Sequence, residues 1–125
     1  MAVKFYECQS CDNVAMMAVD SGVTPHCCGQ EMMELVGNTT DGSKEKHLPE
    51  VEKTGENELT VRIGSAPHPM EEKHYIKFVC LETTCGCVLR YLNPGDKPEV
   101  VFHYDGDAVA VYSFCNIHGM WKVEI

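Results

Sequence analysis

Near its C-terminal end the chain reads Phe114-Cys115-Asn116-Ile117-His118-Gly119-Met120-Trp121, a thiol and an imidazole three residues apart ahead of a glycine that permits a sharp turn. Thiolate and imidazole are metal donors, and one of each is half a site. Further donors stand at Glu45-Lys46-His47 and at His68-Pro69-Met70-Glu71-Glu72-Lys73-His74. A second set is all sulfur: Cys8-Gln9-Ser10-Cys11, then Cys27-Cys28-Gly29. A C-x-x-C knuckle aims two thiolates at one ion. An adjacent pair does so only on unusually turned backbone, which Gly29 eases. Four thiolates around one ion suit iron or zinc. A redox dithiol at Cys8 and Cys11 is the rival reading, but it leaves a very small segment with nothing to staple it.

Eight cysteines in 125 residues need a reason. In a secreted chain they would suggest disulfides. No apolar leader is visible and no stretch nears the ~20 apolar residues of a membrane span. Metal thiolates plus a few free cysteines are therefore expected, in the cytoplasm. Lys plus Arg number 10 against 19 Asp plus Glu, a net charge of −9. That balance argues against a nucleic-acid partner, which calls for a basic stripe, and against an anionic membrane.

The elements that must position these donors are short and strand-like. Lys4 to Glu7, Val14 to Val19 and Glu31 to Val36 are three small pieces with too little core of their own, and residues 1–37 are read as a domain stapled by a metal on four cysteines. Residues 38–46 are polar and read as a linker. From His47 to Ile125 the pattern is β throughout. Leu59, Val61 and Ile63 alternate with Thr60 and Arg62. His74, Ile76, Phe78 and Cys80 fall on one face of the next strand, with Tyr75, Lys77, Val79 and Leu81 on the other. Val100, Phe102 and Tyr104 alternate again, Asp105-Gly106 turns the chain, and Ala108 to Phe114 returns. With a weak strand near Glu50 to Thr54, about seven strands are predicted, and the fold class expected is mainly β with a β-sandwich after the small domain. Met16-Met17 and Met32-Met33 read as core filler. His47, His68, His74, Cys115 and His118 sit at strand ends or in Pro- and Gly-punctuated loops, where function concentrates. His26 and His103 lack that setting and are read as ordinary.

Taken together these motifs resemble desulfoferrodoxin, the two-iron form of superoxide reductase, along essentially the whole chain. Tyr6-Glu7-Cys8-Gln9-Ser10-Cys11 with Cys27-Cys28-Gly29 is similar to desulforedoxin. The His47, His68-to-His74 and Cys115-to-Trp121 segments are similar to neelaredoxin. The resemblance implies an immunoglobulin-like sandwich for 47–125 and a homodimer. It makes His47, His68, His74 and His118 in-plane nitrogen ligands of one square-pyramidal iron, with Cys115 as the axial thiolate and a sixth position open. Cys8, Cys11, Cys27 and Cys28 would hold a second iron, with zinc as a substitute there. Lys46 matches the lysine beside the open position and Glu45 the glutamate that occupies it in the ferric state. The Ile117 and His118 N–H groups would face the Cys115 sulfur. The implied activity is reduction of superoxide to hydrogen peroxide without O2, with a rubredoxin-like electron donor. Cys80, Cys85 and Cys87 match no ligand position; free thiols, an oxidation-prone pair, a hairpin disulfide and a third thiolate site stand open. A pure electron carrier and a zinc-stabilised binding module are the readings from other classes.

Overall fold

Short alternating segments separated by turn glycines form antiparallel ladders, and the chain is built almost wholly of them. The computed structural model describes residues 3–38, 44–64, 66 and 68–125, apart from the side chains of Lys44 and Glu45. Internal contacts divide the chain into two units, Met1–Val36 and Gly37–Ile125. Part of the expected 38–46 linker lies outside the described residues.

In the first unit β1 (Phe5–Glu7) runs between β2 (Val14–Met16) and β5 (Met33–Leu35), antiparallel to both. A two-residue ladder joins β3 (His26–Cys27) to β4 (Gln30–Glu31). A small buried cluster joins Tyr6, Cys8 and Met32, with Ala15, Met17 and Cys27 packed on it, and Phe5 is buried as well. So small a core gives little hydrophobic stabilisation, and the cysteines are where the fold must be tied. Of the methionine pairs, Met32 lies in this core and Met17 against it, whereas Met16 and Met33 are exposed. Neighbouring residues in extended chain point to opposite faces, so a pair cannot fill one core.

The second unit opens with a single helical turn, α1 (Lys44–His47), followed by seven strands. These are β6 (Pro49–Gly55), β7 (Glu58–Ile63), β8 (Ile76–Thr83), β9 (Gly86–Tyr91), β10 (Glu99–His103), β11 (Ala108–Cys115) and β12 (Gly119–Glu124). They form a three-stranded sheet in the order β10-β7-β6 and a four-stranded sheet in the order β12-β11-β8-β9. The main core draws on both, with Leu59, Val61, Ile63, Val100 and Phe102 from the first and Ile76, Val79, Leu81, Val111 and Cys115 from the second. Each such apolar side chain, fully buried, contributes ~1.5–3 kcal/mol.

This topology corrects the expected immunoglobulin-like β-sandwich. Each sheet is an open ladder running in linear order between two edge strands, with no closed or curled sheet among the described residues. What the structure supports is a mainly β chain carrying two clusters of Cys and His donors. Alternation counts strands and assigns their faces, but how sheets pair or curl depends on contacts distant in sequence. One face assignment is also corrected. Ile76 shares the core with Val79 and Leu81, not a face with Phe78 and Cys80. Phe114 pairs with Phe78, yet Cys115 pairs with Ile76, so one residue of β8 is skipped there and the alternation slips. No helix among the described residues is long and apolar enough to cross a membrane.

Candidate metal centre

Four segments bring the imidazoles together. His47 ends α1, and its carbonyl accepts a 3.2 Å hydrogen bond from the buried Ser113 Oγ of β11. His68 follows the turn at Gly64, and His74 closes a tight turn through the Glu71–His74 bridge just before β8. Cys115 is the last residue of β11, and His118 lies in the turn to β12, which Gly119 opens at φ 73.

The result is a ring of imidazoles. Ring centroids are 4.6 Å apart for His47–His68, 4.8 Å for His68–His74, 5.1 Å for His74–His118 and 4.6 Å for His118–His47. All four neighbours meet edge to face, and His47 stands 6.3 Å from His74 across the ring. One donor atom each from His47, His74, Cys115 and His118 lies within 4.8 Å of every other. His68 falls outside that tighter group and joins through its contacts with His47 and His74. Cys115 Sγ lies 4.0 Å from His118 Nδ1.

The donors fit a transition-metal ion. His68 Nδ1 sits 2.6 Å from the Pro69 carbonyl, which can only accept, so that nitrogen carries the proton and Nε2 presents a lone pair. The Nε2 atoms of His68 and His74 are buried without a hydrogen-bond partner, an expensive arrangement unless an ion satisfies them. Burial holds the His68 imidazole down to about 4, with the Pro69 carbonyl opposing and the neighbouring imidazoles reinforcing. His74 is also lowered, by burial first and then by His118, and Lys46 pushes the same way while Glu71 opposes. These two rings are therefore neutral and ready to ligate. Burial pushes the Cys115 thiol up, while the His118 and Ile117 N–H groups draw it back by hydrogen bonding the sulfur. A cation among these donors would release that proton.

In the first unit Cys8, Cys11, Cys27 and Cys28 place their sulfurs within 4.8 Å of one another. Cys28 adopts φ 53 and Gly29 φ 76, the turned backbone that an adjacent pair requires to face one point. Cys11 Sγ is 3.6 Å from Cys27 Sγ. The backbone N–H groups of Cys11 and Ser10 bring Cys8 down to about 7. Hydrogen bonding to Cys11, then Cys8 and Cys27, pushes Cys28 up to about 12. Four crowded sulfurs cannot all ionise without a cation between them, and a soft tetrahedral ion fits.

Of the remaining sequence candidates, Lys46 is exposed at α1, with its charge felt at His74. The Glu45 side chain lies outside the described residues. Cys80, Cys85 and Cys87 are free thiols, and no third donor cluster occurs among the described residues. Exposed His103 faces Glu58 at 3.6 Å, and His26 is exposed in β3. Three residues given no role from sequence help to shape the site. Trp121 stacks on His47 at 4.9 Å and donates its indole N–H to the His118 carbonyl at 3.2 Å. Gly64 packs backbone to backbone against Lys46 and Ala66. Asn116 hydrogen bonds the backbone on both sides of His74. The aromatic three residues beyond His118 was the one legible signal.

A family model, Desulfoferrodoxin, matches residues 39–124. The chain is 40% identical over 121 residues to the desulfoferrodoxin of Nitratidesulfovibrio vulgaris, covering 97% of this chain and 95% of that one. It is 31% identical over 113 residues to a superoxide reductase of Pyrococcus horikoshii, covering 75% of this chain and 97% of that one. The solved superoxide reductase from Treponema pallidum superposes with a TM-score of 0.81 at 34% identity, covering 99% of this chain and all of that one.

Proposed function

The chain belongs to the desulfoferrodoxin family, and from that premise we infer that it is a superoxide reductase. The observation that carries this reading is the ring of imidazoles around the buried Cys115 thiol, with two ring nitrogens lacking any protein partner. When iron is held there by His47, His68, His74, His118 and Cys115, it supplies the electron that reduces superoxide. Cys8, Cys11, Cys27 and Cys28 hold a second iron in this reading, and zinc takes its place where zinc is in excess.

The chain's own residues do the rest. Superoxide is a small anion and the protein carries −9, so approach depends on a local positive patch. Lys46 supplies it at the imidazole ring, where its charge already acts on His74. The lysine also orders the water that brings protons to the reduced substrate. Glu45, the preceding residue in the chain, is the carboxylate that the family resemblance would assign to an oxidised iron. Trp121 covers His47, restricting water on that side of the ring. The balance is superoxide plus one electron plus two protons to hydrogen peroxide, with no O2 formed. A rubredoxin-like carrier returns the electron, and the chain works as a homodimer in the cytoplasm. Family likeness supports the donor and the dimer.

The test is product stoichiometry. With superoxide and a chemical reductant supplied to the iron-loaded protein, one peroxide per superoxide without O2 is expected. O2 evolution, or a rate no faster than spontaneous dismutation, would sink the assignment.

A further inference from the structure

We propose that Asn116 is a positioning residue of the imidazole–thiol site, fastening the segment that carries His74 to the loop that carries Cys115 and His118. The proposal rests on reading His74, Cys115 and His118 as ligands of one ion. His74 sits in a turn closed on itself, with the Glu71 N–H on the His74 carbonyl at 2.9 Å and the His74 N–H on the Glu71 carbonyl at 3.0 Å. Those two bonds set the shape of the turn but not its place in the molecule. The β8–β11 ladder would set its place, yet that ladder slips by a residue between Phe114 and Cys115 and reaches no further than Ile76.

Asn116 takes over where the ladder stops. Its N–H donates to the Tyr75 carbonyl at 3.2 Å. Its Oδ1 accepts from the Tyr75 N–H at 2.9 Å, and its Nδ2 donates to the Lys73 carbonyl at 2.9 Å. The residues on either side of His74 are thus both held by the one residue that follows Cys115. A carboxamide of this length does what other side chains cannot. Aspartate lacks the donor, leucine lacks both functions, and glutamine carries the same head a methylene too far. The same Oδ1 lies 4.0 Å from Cys115 Sγ, so a shift of this clamp is transmitted to the thiol as well as to His74.

The experiment loads the full chain with Co(II) at both sites and compares wild type, Asn116→Ala and Asn116→Asp. The readouts are the sulfur-to-cobalt absorption bands and the Co(II) retained against a chelator, with the four-cysteine site as internal reference. Outer partners of ligands typically govern metal affinity by about 10–100-fold. Asn116→Ala is expected to weaken retention at the second site by about that factor and to shift its band, with the four-cysteine site unchanged. Asn116→Asp keeps the bond from the Tyr75 N–H and is expected to lose less. Wild-type retention and spectrum in Asn116→Ala overturn the proposal alone, as does an equal loss at both sites. If Asn116→Ala does not fold, wild-type behaviour of Asn116→Asp overturns it instead. Absence of a second cobalt site in the wild-type chain overturns the metal reading and the proposal together.

Discussion

Replacing Gly64 by alanine places a methyl group where two backbone segments of the site already touch. Its Cβ would press on the Ala66 carbonyl oxygen and lie 2.5 Å from the Lys46 carbonyl oxygen, with φ at +86. Two costs follow. A left-handed backbone for a residue with a Cβ costs ~1–2 kcal/mol. Overpacking against groups that cannot rotate away costs a further ~1–3 kcal/mol. Gly95→Ala separates them, because Gly95 has nearly the same φ, +90, and nothing within 4 Å of its Cβ. At ~4–8 °C per kcal/mol for a domain of this size, Gly95→Ala is expected to lower Tm by ~5–15 °C and Gly64→Ala by ~5–20 °C more. Trp121, the single tryptophan, lies in the same unit and reports the transition by fluorescence, with both variants carrying the same metal. Because the clash displaces the Lys46–His47 backbone, Gly64→Ala is also expected to lose metal from the second site more readily. Equal Tm values for the two variants would refute the steric argument and leave Gly64 as an ordinary turn residue.

Lys46→Ala is expected to slow the reaction with superoxide by ~10-fold and to flatten its dependence on ionic strength. Rapid-mixing rates at several salt concentrations check this, and an unchanged slope removes the steering role. Cys11→Ser should strip the four-cysteine site of metal while the second site keeps its own, read as metal content per chain. Loss at both sites would contradict the separation of the two clusters. Trp121→Leu takes the indole from the His118 carbonyl and the stacked face from His47, and is expected to broaden the second site's ligand-to-metal band; a band of unchanged width would leave Trp121 without that role. Burial, with Cys87 and Glu82 adding to it, pushes the buried Cys80 thiol up from 9.0 to about 12. A raised folded pKa gives stability that is complete below the unfolded value and lost as pH rises through the folded one. Stability should therefore fall between pH 9.0 and about 12, at about 1.4 kcal/mol per pH unit from this group. Tyr112, raised by burial and by its 2.8 Å hydrogen bond to Glu82, adds to the fall from its ordinary 10.0 upward. Urea unfolding across that range should be visibly flatter for Cys80→Ala, and parallel curves would refute the assignment.

The strands were largely legible because a strand with one buried face writes a period of two into the sequence. Leu59, Val61 and Ile63 show it, and all three are core residues of β7. It failed at Ile76, where the register slip opposite Cys115 moves one residue to the other face without leaving a local mark. It failed also for the sandwich, since open three- and four-stranded sheets and a closed or curled arrangement draw on the same alternating segments. The donor residues were legible by type and punctuation. Asn116 and Gly64 were not, because neither residue has chemistry of its own: one acts through hydrogen bonds to the Lys73–Tyr75 backbone, the other by having no side chain where Lys46 and Ala66 approach.

What the sequence determined by itself is the inventory of chemistry: thiolates paired at Cys8/Cys11 and Cys27/Cys28, and imidazoles and a thiol spread from His47 to His118. Donor strength and softness belong to the side chain and need no fold. What only the tertiary structure decided is convergence. His47 Nε2 meets His118 Nδ1 at 2.9 Å across 71 positions of chain, and the His68 and His74 Nε2 atoms are left without protein partners. Those relations depend on strand register and on close backbone approach between distant segments, and both arise only when the whole sheet is assembled.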